Sequence, residues 1–135
     1  MVHVDKIRLG AVRAREQAYA PYSQFAVGAA VWTVEGGLFT GCNVENGSYS
    51  LSLCAERVAV FKAASEGHRK MVALAVVADT PQPVVPCGAC LQVLSEWFSP
   101  HSVLHLGNTG GKWREVRLRQ LLPEAFLFEG RDADE

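Results

Sequence analysis

Two short segments carry residue types that can do metal chemistry, Cys54-Ala55-Glu56-Arg57 and Pro86-Cys87-Gly88-Ala89-Cys90. Cys87 and Cys90 lie three apart at a predicted helix start, so they share a face. A thiolate there is stabilised by unpaired backbone N–H groups and by the positive end of the helix dipole. Cys54 stands at the start of another predicted helix and gains the same advantage. Three thiolates converging from two helix tips can each sit about 2.3 Å from a zinc ion and leave its fourth corner open. An open corner marks a catalytic rather than a structural zinc site. There, zinc makes water acidic enough to yield a nucleophile near neutral pH.

Such a nucleophile needs a partner that takes its proton and passes it to a leaving group. Glu56 is two residues from Cys54 and does not share its helical face, so it is assigned beside the metal as the catalytic proton carrier. Arg57 has a rationale as well. Three thiolates leave a dication with net negative charge, and a guanidinium donating to the sulfurs would draw charge back and restore Lewis acidity. On spacing alone an exposed helix charge is an equal reading of Arg57.

These side chains must be positioned by the surrounding elements. Val4 to Ala20 has apolar residues at helical spacing (Val4, Ile7, Ala11, Val12, Ala14, Ala18), and Pro21 should stop the helix. Phe25 to Val34 reads as a buried strand, Gly36-Gly37 as a tight turn, and Leu38 to Cys42 as the second strand. Residues 43–51 read as a loop. Ser50 or Ser52 should cap a helix from about Leu53 to Glu66, with Gly67 at its C′ position.

A strand at 72–78, a proline-rich turn at 80–86 and a helix at 87–98 follow. The chain continues with a strand at 103–106, a turn at 108–111, a strand at 112–116, a short helix at 118–122 and a frayed acidic tail at 131–135. This order predicts one domain over 1–135 with an α/β fold, a three-layer α/β/α sandwich around a mixed sheet of about five strands. The first two strands should be antiparallel, and those joined through helices parallel, with right-handed crossovers. Both cysteine segments then fall beyond the strand ends, where such sheets bind ligands.

Bulk properties narrow the function classes. The chain has 135 residues, 49% hydrophobic and 20% charged, with formal net charge −1. That balance gives no global field to attract nucleic acid or an anionic membrane, and neither is expected as a partner. No apolar run approaches the roughly 20 residues of a membrane helix. Met1 to Lys6 lacks the layout of a signal peptide, so a cytoplasmic location is expected, with the four cysteines as thiols or metal ligands rather than disulfides.

A lone Cys-x-x-Cys is a weak signal, since redox-active, structural and core cysteines share it. A Pro before it, with a Cys-x-Glu on a preceding helix across one strand, is far more specific. It matches the general signature of zinc deaminases. The chain resembles the small homotetrameric cytidine deaminases over nearly its whole length. The similarity runs through residues 21–30 (PYSQFAVGAA), 41–49 (GCNVENGSY), 54–57 (CAER), 86–90 (PCGAC) and 121–126 (LLPEAF).

The resemblance implies one zinc per subunit on Cys54, Cys87 and Cys90, with Glu56 as proton shuttle and Arg57 on the ligand sulfurs. It implies that Asn43 and Glu45 hold the ribose hydroxyls and that Phe25 packs on the pyrimidine. The main chain of Ala55 would read the pyrimidine's polar edge. Tyr49 and Phe126 would reach into a neighbouring subunit's site. The implied activity is hydrolytic deamination of free cytidine and 2′-deoxycytidine in pyrimidine salvage. Read without the resemblance, Asn43 and Glu45 are turn residues and Phe25 is core.

Val85 stands where many relatives have Ser, Leu91 where many have Arg, and Gly47 where Ala is common. Three rivals remain: a closed structural zinc site with Cys42 as fourth thiolate, a thiol–disulfide oxidoreductase using Cys87 and Cys90, and a related deaminase acting on an aminoacyl-nucleoside or another cytosine compound. Core packing is the favoured reading of Cys42. His105, on an apolar strand, is read as a core or rim histidine rather than a ligand.

Overall fold

The strand Met71–Ala78 is buried along nearly its whole length, so helices must cover both faces of the sheet it belongs to. The computed structural model describes residues 1–128; the tail expected at 131–135 lies outside them. The chain order is α1 (Val4–Arg15), β1 (Val27–Thr33), β2 (Leu38–Cys42), a 3₁₀ turn at Tyr49–Leu51, α2 (Ala55–Ser65), β3 (Met71–Ala78), α3 (Gly88–Trp97), β4 (Phe98–Asn108), β5 (Trp113–Arg117) and α4 (Leu118–Leu121). The five strands form one sheet in the order β2-β1-β3-β4-β5. β1 is antiparallel to β2 and β3, β3 is parallel to β4, and β4 is antiparallel to β5. The mixed sheet and its helical layers are those expected.

Alternating residues of β3 feed two cores. Leu74 and Val76 pack with Ala59, Val60, Leu91 and Leu94 of α2 and α3. Ala73, Ala75 and Val77 face Ile7 and Ala11 of α1. Small residues dominate the α1 side because the helix lies close. A Cβ on Gly28 would stand 2.0 Å from the carbonyl oxygen of Ala11.

The register explains why one end of the sheet becomes a site. Val27, which opens β1, pairs with Ala78 at the end of β3, and Gly28 pairs with Cys42 at the end of β2. Phe25, Asn43 and the proline-rich turn after β3 therefore emerge together. Asn108, at the end of β4, fixes that turn. Its Nδ2 donates to the carbonyls of Thr80 (3.0 Å) and Pro81 (3.2 Å), and its Oδ1 accepts from the Lys112 N–H (2.9 Å). The Val84 N–H adds a bond to Gly107 O (3.2 Å). The segment leading into Cys87 is thus anchored to β4.

Three boundaries differ from the sequence reading. α1 stops at Arg15, not near Pro21, because Tyr19 is drawn into a bridge with Val44. The Tyr19 N–H donates to Asn43 O, and the Glu45 N–H donates to Tyr19 O, both at 2.9 Å. α2 is capped by Cys54, not by Ser50 or Ser52. Ser50 lies in the 3₁₀ turn, and Ser52 Oγ instead accepts from the Asn46 N–H at 2.9 Å. β4 starts five residues early, because Phe98 pairs with Met71 before a register shift that resumes at Ala73 and Val103. Pro100 falls in that irregularity, where a missing N–H costs no ladder bond. Gly67 does follow the end of α2, with φ +95°, in the left-handed region that favours glycine. Among the described residues no helix is long and apolar enough to cross a membrane.

Candidate active site

Cys54 and Cys87 are the N-caps of α2 and α3, and neither side chain caps its own helix. The first backbone N–H groups of both helices stay unpaired by side-chain caps, a setting that favours anionic sulfur. Cys90 sits in the first turn of α3, fully buried beneath them. The three sulfurs lie within 4.8 Å of one another, with 4.0 Å between those of Cys54 and Cys87. Three thiolates on a tetrahedral zinc ion should be ~3.8 Å apart, from zinc–sulfur bonds of ~2.3 Å. The donor set fits zinc in softness, number and spacing. Among the described residues Cys42 does not join the group, which leaves three protein ligands rather than four.

The electrostatics point the same way. A hydrogen bond from Cys90 brings the Cys54 thiol down to about 5; burial opposes this and Arg57 assists. The same bond pushes Cys90 up, as do burial and the Glu56 charge. Arg57 Nη2 donates to Cys54 Sγ at 3.4 Å. The guanidinium is therefore on the sulfur, and the reading of Arg57 as a mere exposed charge falls away.

Glu56, in the first turn of α2, is 4% exposed. Burial pushes its carboxyl up to about 7, and the Cys54 charge adds to the rise against its own backbone hydrogen bond and Arg57. A carboxyl in that range can both take and give a proton near neutral pH.

Glu56, Cys54, Cys87 and Arg57 line a cleft of about 390 Å³ together with Phe25, Asn43, Glu45 and Tyr49. Eight residues singled out from the sequence thus share one cavity. Asn43 is nearly buried. Its Nδ2 donates to Phe25 O at 2.7 Å, and its Oδ1 accepts from the Val27 N–H at 2.9 Å. Glu45 Oε1 accepts from the N–H groups of Tyr22 (3.0 Å) and Ser23 (3.1 Å), and Oε2 accepts from the Ser23 hydroxyl. Those bonds, the Ser23 hydroxyl first, hold its carboxyl below the usual range. Tyr49 stands at the rim of its own chain's cleft, 74% exposed. Phe126 is exposed and outside the cleft; its carbonyl accepts from Gln92 Nε2 at 3.0 Å. Ala55 is fully buried at the start of α2 and is not among the residues that line the cleft.

Residues 4–105 match the family described as the cytidine and deoxycytidylate deaminase zinc-binding region. The chain belongs to the cytidine and deoxycytidylate deaminase family. It is 53% identical over 119 residues to a cytidine deaminase of Halalkalibacterium halodurans, covering 88% of this chain and 90% of that one. The crystal structure of a cytidine deaminase from Burkholderia pseudomallei superposes with TM-score 0.88 at 48% identity, covering 93% and 100% of the two chains. That of Mycobacterium tuberculosis gives 0.82 at 41%, covering 95% and 100%.

The cysteine trio lies inside the matched region of this deaminase family, and its donor set is one that could hold the metal that region is described as binding. Of the departures noted in the sequence, Val85 lines the cleft half-exposed, whereas Leu91 is buried in the α2–α3 core. No polar group at position 91 is required by its surroundings. Sequence reasoning missed Ser23 and Asn108. Neither belongs to a spacing pattern; each acts through hydrogen bonds to distant segments.

Proposed function

We propose that this chain hydrolyses the exocyclic amine of free cytidine and 2′-deoxycytidine, giving the uracil nucleoside and ammonia. The observation that carries the reading is the buried Glu56 carboxyl beside three converging sulfurs, at the floor of a cleft whose mouth offers an amide and a carboxylate. The relatives named cytidine deaminase support the substrate class.

Cys54, Cys87 and Cys90 would hold zinc, which when bound supplies a Lewis acid and makes water nucleophilic near neutral pH. Glu56 takes one proton from the attacking water and passes it to N3 of the pyrimidine as the oxygen bonds to C4. It then moves the remaining proton of that C4 hydroxyl to the amine, and the C4–N bond breaks to release ammonia and leave the C4 carbonyl. Phe25 packs on the ring, the Ala55 main chain reads its polar edge, and Arg57 offsets the thiolate charge.

The hydrogen-bond inventory at the mouth accounts for tolerance of both sugars. Asn43 has one Nδ2 hydrogen left after Phe25, and Glu45 has one acceptor position left after Tyr22 and Ser23. Asn43 Oδ1 also keeps a lone pair after Val27, so one donor and two acceptor positions remain, enough to hold one hydroxyl that accepts from Nδ2 and donates to Glu45. A sugar that keeps that hydroxyl and loses another still satisfies both groups. Among the described residues Arg57 is the one Lys or Arg that lines the cleft, and it is engaged with Cys54, which favours an uncharged nucleoside over a phosphorylated one.

We further propose a homo-oligomer, a tetramer by resemblance, in which Tyr49 and Phe126 complete a neighbour's site. Tyr49, Leu51, Phe126 and Phe128 are large apolar residues left more than half exposed, a cost that burial in an interface removes. A reducing cytoplasm suits the four free thiols.

The test is metal analysis with an absorbance assay of cytidine conversion on the purified protein. One zinc per chain and conversion of both nucleosides support the reading. Conversion of an aminoacyl-nucleoside but neither free nucleoside would replace the substrate, and a redox-active Cys87–Cys90 disulfide without turnover would replace the class.

A further inference from the structure

The carboxylate at the mouth of the cleft is not held by its own backbone. Glu45 is on an exposed loop, and among the described residues every hydrogen bond its side chain makes comes from residues 22 and 23. Ser23 supplies two of the three, its N–H to Oε1 at 3.1 Å and its hydroxyl to Oε2. The same hydroxyl oxygen accepts from the Phe25 N–H at 3.1 Å. Gln24, between them, has φ 57°, the only non-glycine residue in the left-handed region among those described. That turn folds the Ser23 side chain back over the peptide of residue 25.

We infer that Ser23 is a positioning residue for sugar recognition: its hydroxyl locks Glu45 in the one arrangement that leaves a single acceptor facing the substrate. A free glutamate side chain has many rotamers, and ordering it when substrate binds costs affinity. With Ser23 in place that ordering is complete before the nucleoside arrives. The hydroxyl also makes the lock directional. It donates to Oε2 and accepts from Phe25 N–H, so one side chain links the carboxylate to the aromatic proposed to cover the pyrimidine. Ser23 lines the cleft, but it acts on the sugar through Glu45.

This inference rests on the proposal that Glu45 contacts a sugar hydroxyl, and the experiment separates the two. The probes are cytidine and 2′,3′-dideoxycytidine, which lacks the hydroxyls Glu45 could read. Ser23→Ala should lower kcat/KM for cytidine about tenfold, mostly through KM, and for the dideoxy compound less than twofold. Ser23→Thr, which keeps the hydroxyl, should restore cytidine to within threefold of the parent.

Glu45→Gln is the control arm, and its penalty should also be confined to cytidine. If Glu45→Gln weakens both substrates equally, the sugar reading fails and the role of Ser23 falls with it. If Glu45→Gln discriminates but Ser23→Ala weakens both substrates equally, or neither, Glu45 reads the sugar without help from Ser23. Zinc content and thermal midpoint of each variant exclude misfolding, which an exposed serine-to-alanine change should not cause.

Discussion

Asn43 braces the fold through its side-chain amide, and on the proposed reading its spare Nδ2 hydrogen also meets the sugar, so replacing it should damage stability and activity by separable amounts. Its side chain spans from β2 to the start of β1, donating to Phe25 O at 2.7 Å and accepting from Val27 N–H at 2.9 Å. Asn43→Ala removes both partners and leaves two part-buried main-chain groups unpaired. Each such loss costs roughly 1–2 kcal/mol, because water recovers only part of the bond. The fold should therefore lose about 2–4 kcal/mol, enough to shift a urea midpoint by about 1–2 M at unchanged slope. Activity should fall further than stability explains, because the variant also loses the remaining Nδ2 hydrogen that faces the sugar. For enzyme that is still fully folded, kcat/KM for cytidine should drop about 10²-fold, as expected when a polar group loses its bonding partner in the complex. The assay pairs urea unfolding with initial rates under conditions where the variant remains folded. A midpoint unchanged within error would refute the reasoning, since it would mean that the two side-chain bonds do not brace the strand.

Further consequences can be checked on the same footing. Cys42→Ser should leave one zinc per chain and normal turnover, because Cys42 is outside the sulfur group; loss of metal would revive a four-thiolate structural site. Arg57→Gln should lower zinc affinity or activity about 10- to 100-fold, the usual effect of removing a group that hydrogen-bonds a metal ligand, measured by competition with a chelator and by kcat. His105 is buried on β4, facing Arg8 of α1 (3.2 Å from Nη2) and paired with Glu115 of β5 and Ala75 of β3. Burial, then the Arg8 charge, pushes its pKa below 6.5, against Glu115. The unfolded chain thus takes up a proton near pH 6.5 that the folded protein refuses until lower pH. Stability should fall as pH drops through that window and level off beneath the depressed pKa. His105→Gln should flatten this component in a pH series of urea unfolding, and an unchanged slope would remove His105 from the account.

The parts legible in the sequence are those set by short-range spacing. Cys54 and Cys87 stand at helix starts as expected because a helix tip is set by its own first turn, and the hairpin at Gly36-Gly37 forms as expected because the turn demands those residues. What was not legible depends on partners far along the chain. α1 ends early because Tyr19 pairs with residues 43–45, and no local signal near Arg15 announces it. β4 starts early because Phe98 finds Met71, more than twenty residues upstream. The cap of α2 is a cysteine reserved for another purpose, so the better capping serines beside it were misleading. Asn43, Ser23 and Asn108 look like ordinary turn residues until the fold places a main-chain group against each.

The central claim is that a buried carboxyl moves protons beside a three-sulfur zinc centre, and Glu56→Gln tests it most directly. Glutamine matches the shape and cannot carry the proton. Metal analysis and cytidine turnover on the same preparation should show one zinc per chain with kcat lowered about 10²- to 10⁴-fold, the usual contribution of a general acid–base group. A zinc-loaded Glu56→Gln protein that keeps more than a tenth of the parent's turnover, a retention of roughly 10⁻¹ or above against that range, would contradict the account.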